Sequence, residues 1–184
     1  MNEPSSCQLN NVKVSVIGFV ALSGTGKTTL LTQIIELLSA RGLRIGVVKQ
    51  ARDDFDVDIP GKDSYVLRKA GLQQTLLASG RKSAQIAEHP NGPEPVLAEL
   101  LQQFDQSALD LVLVEGFSDQ HYPKIELYRG FGAPRYLFDP CIIAVASNEL
   151  AEKPASIPLL DIDNPSAVAE FVLARLQLFA EDPA

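Results

Sequence analysis

Ala21-Leu-Ser-Gly-Thr-Gly-Lys-Thr-Thr29 decides the fold. Before it, Val12 to Val20 is rich in β-branched residues and reads as a buried strand. After it, Thr28 to Ala40 carries Leu30, Leu31, Ile34, Ile35, Leu37 and Leu38 at helical spacing. Arg41-Gly42 closes that helix, with glycine suited to a left-handed cap. A glycine-rich turn between a strand and a helix is the setting of a phosphate-gripping loop. Chance supplies such a string in on the order of one chain in a hundred, and the flanking elements make accident rarer still. Gly24 and Gly26 let the backbone curl until successive N–H groups point inward as an anion nest. The helix N-terminus adds its partial positive charge. Lys27 is placed to reach β- and γ-phosphates, and the Thr28 hydroxyl to hold Mg²⁺. Ala21 stands where the usual pattern has glycine, but that position needs a small residue at negative φ, which alanine supplies. The predicted nucleotide-binding residues are therefore Ala21, Leu22, Ser23, Gly24, Thr25, Gly26, Lys27, Thr28 and Thr29.

Working outward, Ile45-Gly-Val-Val48 is a second strand ending at Lys49, so a parallel pair with a right-handed crossover is expected. Lys49 reads equally as a contact to phosphates or a second anionic ligand and as an ordinary exposed lysine. A magnesium site needs a carboxylate at the end of a neighbouring strand. Leu109 to Val114 ends in Glu115-Gly116, which supplies one, with Gly116 leaving room beside the phosphates. Asp110 is the rival, but it lies at the wrong end of its strand. Lys124 to Tyr128 and Cys141 to Ala146 are two further strands. Gln50 to Lys62 reads as a loop, Tyr65 to Ala70 as a short helix, and Gln74 to Ala78 with Ser83 to Ala87 as a strand pair. Val96 to Phe104 is an amphipathic helix, and Asn164-Pro165 starts a last one running toward Phe179. The sum is a three-layer α/β domain of the P-loop NTPase-like kind, a mainly parallel sheet flanked by helices. It spans residues 12–180 as a single domain behind a disordered tail, 1–11.

Composition narrows the function. A formal net charge of -7 gives a nucleic-acid partner no electrostatic footprint. No apolar run approaches the roughly 20 residues that cross a bilayer, which argues against a membrane. Cys7 and Cys141 match no metal spacing. Cys141 opens an apolar run and reads as a buried reduced thiol, which points to the cytoplasm. His89 and His121 are alone in their segments and read as neither ligands nor bases. The acidic run Asp53, Asp54, Asp56, Asp58 lacks the spacing of a calcium loop. Plain solvation is its default reading, ahead of a Mg²⁺-tuned loop.

Together these residues make the chain resemble the P-loop protein family of molybdopterin-guanine dinucleotide biosynthesis, MobB. The resemblance runs from about Val16 to Leu176. It is carried by Ser23-Gly-Thr-Gly-Lys-Thr-Thr29, by Asp56-Val-Asp58 with Pro60-Gly-Lys-Asp-Ser-Tyr65, and by Leu67-Arg-Lys-Ala-Gly71. Leu109 to Phe117 and Ile143-Ala-Val-Ala-Ser147 complete it. The Pro-Gly-Lys-Asp-Ser-Tyr segment discriminates most, since ordinary phosphate-loop enzymes lack it. The resemblance implies a GTP-binding, weakly hydrolysing homodimer, using Mg²⁺. It implies an adapter beside the molybdenum cofactor guanylyltransferase, which joins GMP to molybdopterin, and contact with molybdopterin itself. It places the loop around Asp58 and Asp63 near the nucleotide or cofactor. Family members carry histidines after the lysine at position 49, where this chain reads Gln50-Ala-Arg-Asp-Asp54, so no role of those histidines transfers. The Asn-Lys-x-Asp guanine motif is absent, and Ser147-Asn148 is its best placed substitute.

The alternative is a P-loop small-molecule kinase. A kinase usually carries a cationic lid, and Arg81, Arg129 and Arg135 are scattered without forming one in the sequence. A partner-switching ATPase carries a further lysine early in the loop, where this chain has Leu22. No catalytic base or water-positioning glutamine stands out beside the loop, so slow turnover is expected.

Overall fold

Leu111–Glu115 alternates its side chains between two buried faces, and the rest of the fold is arranged around it. A computed structural model describes residues 7–51, 55–150 and 152–181, with side chains through residue 177. Two compact units form. One comprises the chain up to Gln50 together with Val96 onward, and the other comprises Ala51–Pro95.

The first unit holds a six-stranded parallel sheet in the order β2-β5-β1-β6-β7-β8. Its strands are β1 (Ser15–Ala21), β2 (Ile45–Lys49), β5 (Leu111–Glu115), β6 (Lys124–Leu127), β7 (Ile142–Ala146) and β8 (Leu159–Leu160). Helices α1 (Lys27–Ala40) and α4 (Pro165–Glu181) cover one face. There Ile17, Phe19, Leu111 and Leu113 pack with Ile34, Leu38, Val168 and Val172. On the other face Val16, Val112 and Val114 pack with Leu97 and Leu101 of the short helix α3 (Leu97–Leu101). This is the expected three-layer α/β fold. The predicted helix to Phe104 ends early because its last turn is irregular, and β8 is too short to leave a sequence pattern.

Between β5 and β6 the chain crosses β1 through residues 116–123 without a helix. Phe117 and Tyr122 fill the space a helix would have covered. Gly18 makes this possible, since a Cβ there would lie 2.4 Å from the Tyr122 ring. The crossover is anchored by Lys124, only 1% exposed within the sheet. Its Nζ donates to Ser118 O at 3.0 Å and Gln120 O at 2.8 Å, and pairs with Asp139 Oδ2 at 2.8 Å. Glu126, also buried on β6, accepts the Arg135 and Tyr136 backbone N–H groups. Burial pushes its carboxyl above the usual range.

Two expectations about the N-terminal region are corrected. Cys7 and Cys141 are joined in a disulfide, with Cα atoms 5.5 Å apart, across a sequence separation of 134. Neither is a reduced thiol, so the inference from reduced cysteines to compartment fails. Cys7, within the stretch expected to be a tail, is buried; residues 1–6 lie outside the described residues. A bridge closing so long a loop restricts the unfolded chain strongly. Cys7→Ser is therefore expected to lower stability by about 2–5 kcal/mol, read as an earlier urea midpoint. A dithiol reductant should produce the same shift in the parent and none in the variant.

The second unit contains α2 (Asp63–Lys69) and the antiparallel pair β3 (Gln74–Ala78) and β4 (Ser83–Ala87). The strand pair matches its expectation. The acidic run does not. Asp53 and Asp54 lie outside the described residues, but Asp56 and Asp58 are not merely solvated. The buried Arg68 guanidinium pairs with Asp56, with Asp58 Oδ1 at 2.7 Å and with Glu88 Oε1 at 2.5 Å. These acids neutralise a cation that the helix pattern turns inward, and Arg68 in turn holds the Asp56 carboxyl below its usual range.

Candidate functional site

The loop after β1 follows from its glycines. Gly24 and Gly26 have φ of 80° and 89°, in the left-handed region that side-chain-bearing residues rarely enter. Gly26 is the N-cap of α1 and its carbonyl accepts from Leu30 N–H at 3.0 Å. Thr25 tightens the curl, its Oγ1 donating to Leu22 O at 2.6 Å. Ala21 ends β1, and among the described non-glycine residues only Asn11 and Phe117 have positive φ. Alanine is thus tolerated at the motif's first position, as reasoned. Ser23, Thr28 and Thr29 are exposed beside the loop, Thr28 one residue into α1.

Parallel register brings the chemistry to one sheet edge. Glu115 lies level with Phe19 of β1 and Lys49 of β2. Its Oε1 is 3.6 Å from Lys27 Nζ and its Oε2 is 3.4 Å from Lys49 Nζ. The carboxylate is 16% exposed and Lys27 20%, whereas Lys49 is 58% exposed, so this cation–anion–cation row is shielded at its Lys27 end and open at Lys49. Lys49 thus pairs with Glu115 while its side chain stays mostly exposed. The rival Asp110 is engaged elsewhere. It accepts from Arg44 N, Nε and NH2, which together with the ion pair push its carboxyl down to about 2.

Gly116 serves a different purpose from the one expected. It has φ of 99°, and a Cβ there would meet Gln50 Cβ at 2.5 Å. The space beside it belongs to Gln50. Gln50 N–H donates to Glu115 O at 2.8 Å, and Gln50 Oε1 accepts from Phe117 N–H at 2.7 Å. Tyr122 Oη holds the turn from the other side by donating to Gly116 O at 2.8 Å. A glutamine therefore does stand beside Glu115, with its carbonyl engaged in fixing the turn that presents the carboxylate. Sequence reasoning missed it because the residue opens what reads as a long loop.

Ser147 and Asn148 follow β7 on the same edge. Ser147 is buried, its N–H donating to Leu160 O and its Oγ accepting from Glu149 N–H. Asn148 is exposed, and its Nδ2 donates to Asp163 Oδ2 at 2.7 Å. Asp58 and Asp63 belong to the second unit, where Asp58 Oδ1 is taken by Arg68 and Asp63 opens α2.

Among the described residues no three His, Cys, Asp or Glu side chains gather to hold a metal. One shielded carboxylate and one nearby hydroxyl suit Mg²⁺, which keeps most of its shell as water and phosphate oxygens. A calcium or zinc cage does not fit these donors.

A glycine-curled loop on the carboxyl edge of a parallel sheet, facing a lysine and an acid, defines a protein of the P-loop NTPase class. Residues 16–148 match the family model of MobB, molybdopterin guanine dinucleotide synthesis protein B. The chain is 44% identical over 167 residues to the molybdopterin-guanine dinucleotide biosynthesis adapter protein of Escherichia coli (strain K12), covering 89% of this chain and 94% of that one. A crystal structure of molybdopterin-guanine biosynthesis protein B superposes with a TM-score of 0.70 at 28% identity, covering 88% of this chain and 99% of that one. A tetraacyldisaccharide 4'-kinase of Azotobacter vinelandii is 32% identical over 156 residues, 79% of this chain but 44% of the kinase. The chain belongs to the MobB family. Among the described residues no helix is long and apolar enough to cross a membrane.

Proposed function

We propose that the chain binds GTP with Mg²⁺ and serves as an adapter in molybdopterin-guanine dinucleotide biosynthesis, beside the guanylyltransferase that joins GMP to molybdopterin. The observation that carries the nucleotide reading is the row of Lys27, Glu115 and Lys49 at the phosphate loop. The adapter role rests on the name of the 44% identical relative.

In this reading Ala21 to Thr29 cradle the phosphates through backbone N–H groups, and Lys27 exchanges Glu115 for phosphate oxygens. Thr28 Oγ1 and the Glu115 carboxylate would hold Mg²⁺, which would supply neutralisation of phosphate charge. Lys49 keeps Glu115 oriented when Lys27 leaves it. Ser147 and Asn148 lie on the base side, and Asp58 and Asp63 are loop contacts toward nucleotide or molybdopterin. Residues 12–180 act as one nucleotide-binding domain. Turnover is weak because Glu115 would be committed to Mg²⁺ and Lys49 and Gln50 Oε1 is already bonded, which leaves neither to activate water.

A homodimer is supported by the apolar side chains Val57, Ile59, Val66, Leu67 and Leu76, exposed on the second unit. The net charge of -7 argues against nucleic acid. A cytoplasmic setting follows from the use of GTP and not from the cysteines. The kinase alternative is weaker, because Arg129 and Arg135 are paired with Asp163 and Asp119 and form no lid.

The test has two arms. Melting curves with GTP, GDP or ATP, each with Mg²⁺, should show stabilisation by the guanine nucleotides; no shift with any would remove the nucleotide site. Adding the chain to guanylyltransferase, molybdopterin and Mg²⁺–GTP should raise dinucleotide yield, and an unchanged yield would remove the adapter role.

A further inference from the structure

We infer that Asp163 reads the guanine base, held in place by Asn148 and Arg129; this rests on the phosphate loop being a nucleotide site. No local motif points to Asp163, which sits in the short stretch between β8 and α4.

The sheet order supplies the placement. β6, β7 and β8 follow β1 in sequence across the sheet, all parallel, so their carboxyl ends share the edge of the phosphate loop. At about 4.8 Å per strand, the end of β7 lies about 10 Å from the root of the loop. That is the direction in which ribose and base must extend if phosphates sit at Gly24 and Gly26, since β5 and Glu115 occupy the other side.

Three polar side chains converge there from three connections. Arg129, beyond β6, donates from NH2 to Asp163 Oδ1 at 2.7 Å. Asn148, beyond β7, donates from Nδ2 to Asp163 Oδ2 at 2.7 Å. Asp163 N–H in turn donates to Asp161 Oδ1 at 2.9 Å, which fixes the backbone. Asp163 remains 58% exposed, so its carboxylate is oriented and still open to a ligand. The Arg129 hydrogen bond holds its carboxyl below the usual range, keeping it an acceptor at neutral pH.

The chemistry then selects the base. A carboxylate offers about four lone-pair sites, and Arg129 and Asn148 use one on each oxygen. That leaves one on each oxygen, and with the side chain 58% exposed the two can serve together as a pair of acceptors. Guanine presents two adjacent donors, N1–H and the 2-amino group, which match such a pair. Adenine presents an unprotonated N1 and a C2–H, placing a lone pair against the negative charge. Xanthine keeps N1–H but replaces the amino group by a carbonyl, which a carboxylate repels and an amide accommodates.

Dissociation constants for GTP, ATP and XTP should be measured on the parent, Asp163→Asn, Asn148→Ala and Lys27→Ala, with Mg²⁺. The parent should prefer GTP over ATP by about tenfold or more, the value of one bidentate base contact. Asp163→Asn should weaken GTP by a similar factor and tighten XTP, a gain that misfolding cannot produce. Asn148→Ala should weaken GTP less and leave ATP unchanged. An Asp163→Asn protein with the parent's GTP to XTP ratio, while Lys27→Ala still weakens every nucleotide by about tenfold or more, would overturn the base assignment and leave the phosphate site standing. A parent that binds none of the three would overturn both.

Discussion

Lys27→Ala is expected to remove about half or more of the thermal stabilisation that GTP gives, while shifting the free protein's melting point by no more than about 2–4 °C. A ligand at 100 times its dissociation constant adds about 2.7 kcal/mol of stability. Hydrogen bonds to charged groups contribute about 1.5–3 kcal/mol each, so losing the lysine weakens affinity by about one to two orders of magnitude. At the same GTP concentration the stabilisation then falls to between about 0.4 and 1.4 kcal/mol. The free protein changes little because the Lys27–Glu115 contact, at 3.6 Å and partly exposed, belongs to the class of pairs worth about 0–1 kcal/mol. A Lys27→Ala protein with the full GTP shift would mean that the loop does not grip the nucleotide through this side chain.

Lys124→Ala should cost far more in folding, about 3–5 kcal/mol. The ammonium is 1% exposed and satisfied by two carbonyls and the Asp139 carboxylate. Removing it leaves the shielded Asp139 carboxylate without its cation, takes this donor from Gln120 O and leaves Ser118 O with the longer 3.3 Å bond from Arg135. Urea unfolding measures the loss. The paired change Lys124→Ala with Asp139→Ala should recover part of it, because the stranded charge is then gone. If Lys124→Ala unfolds at the parent's midpoint, the crossover is held by its other contacts, the packing of Phe117 and Tyr122 and the bonds to Gln50, Leu97 and Arg135.

What could be read from sequence was local. The strand, curl and helix around Ala21–Thr29 follow from neighbouring residues, and so does the placement of Glu115 at a strand end. The sheet layers followed from alternation in β1 and β5. The rest depended on contacts between distant residues. Cys7 and Cys141 are 134 residues apart, and nothing in either neighbourhood names the other. Lys124 and Glu126 alternate with Ile125 and Leu127, a pattern that reads as a solvated strand face, yet that face lies under the crossover and the turn at Arg135. Arg68 looks like a surface arginine of a short helix until Asp56, Asp58 and Glu88 are brought around it. Gln50 sits where a loop begins, and only the register of β2 with β5 puts it against Gly116. Asp163 follows the same logic, since its partners Arg129 and Asn148 come from two other connections.

A GTP-binding adapter of this kind is expected to hydrolyse its nucleotide only slowly. The most direct measurement is steady-state GTP turnover by the purified protein with saturating Mg²⁺. Fewer than about one turnover per second is expected, because neither Glu115 nor Gln50 is free to activate water. Turnover at tens per second, abolished by Lys27→Ala, would contradict that expectation.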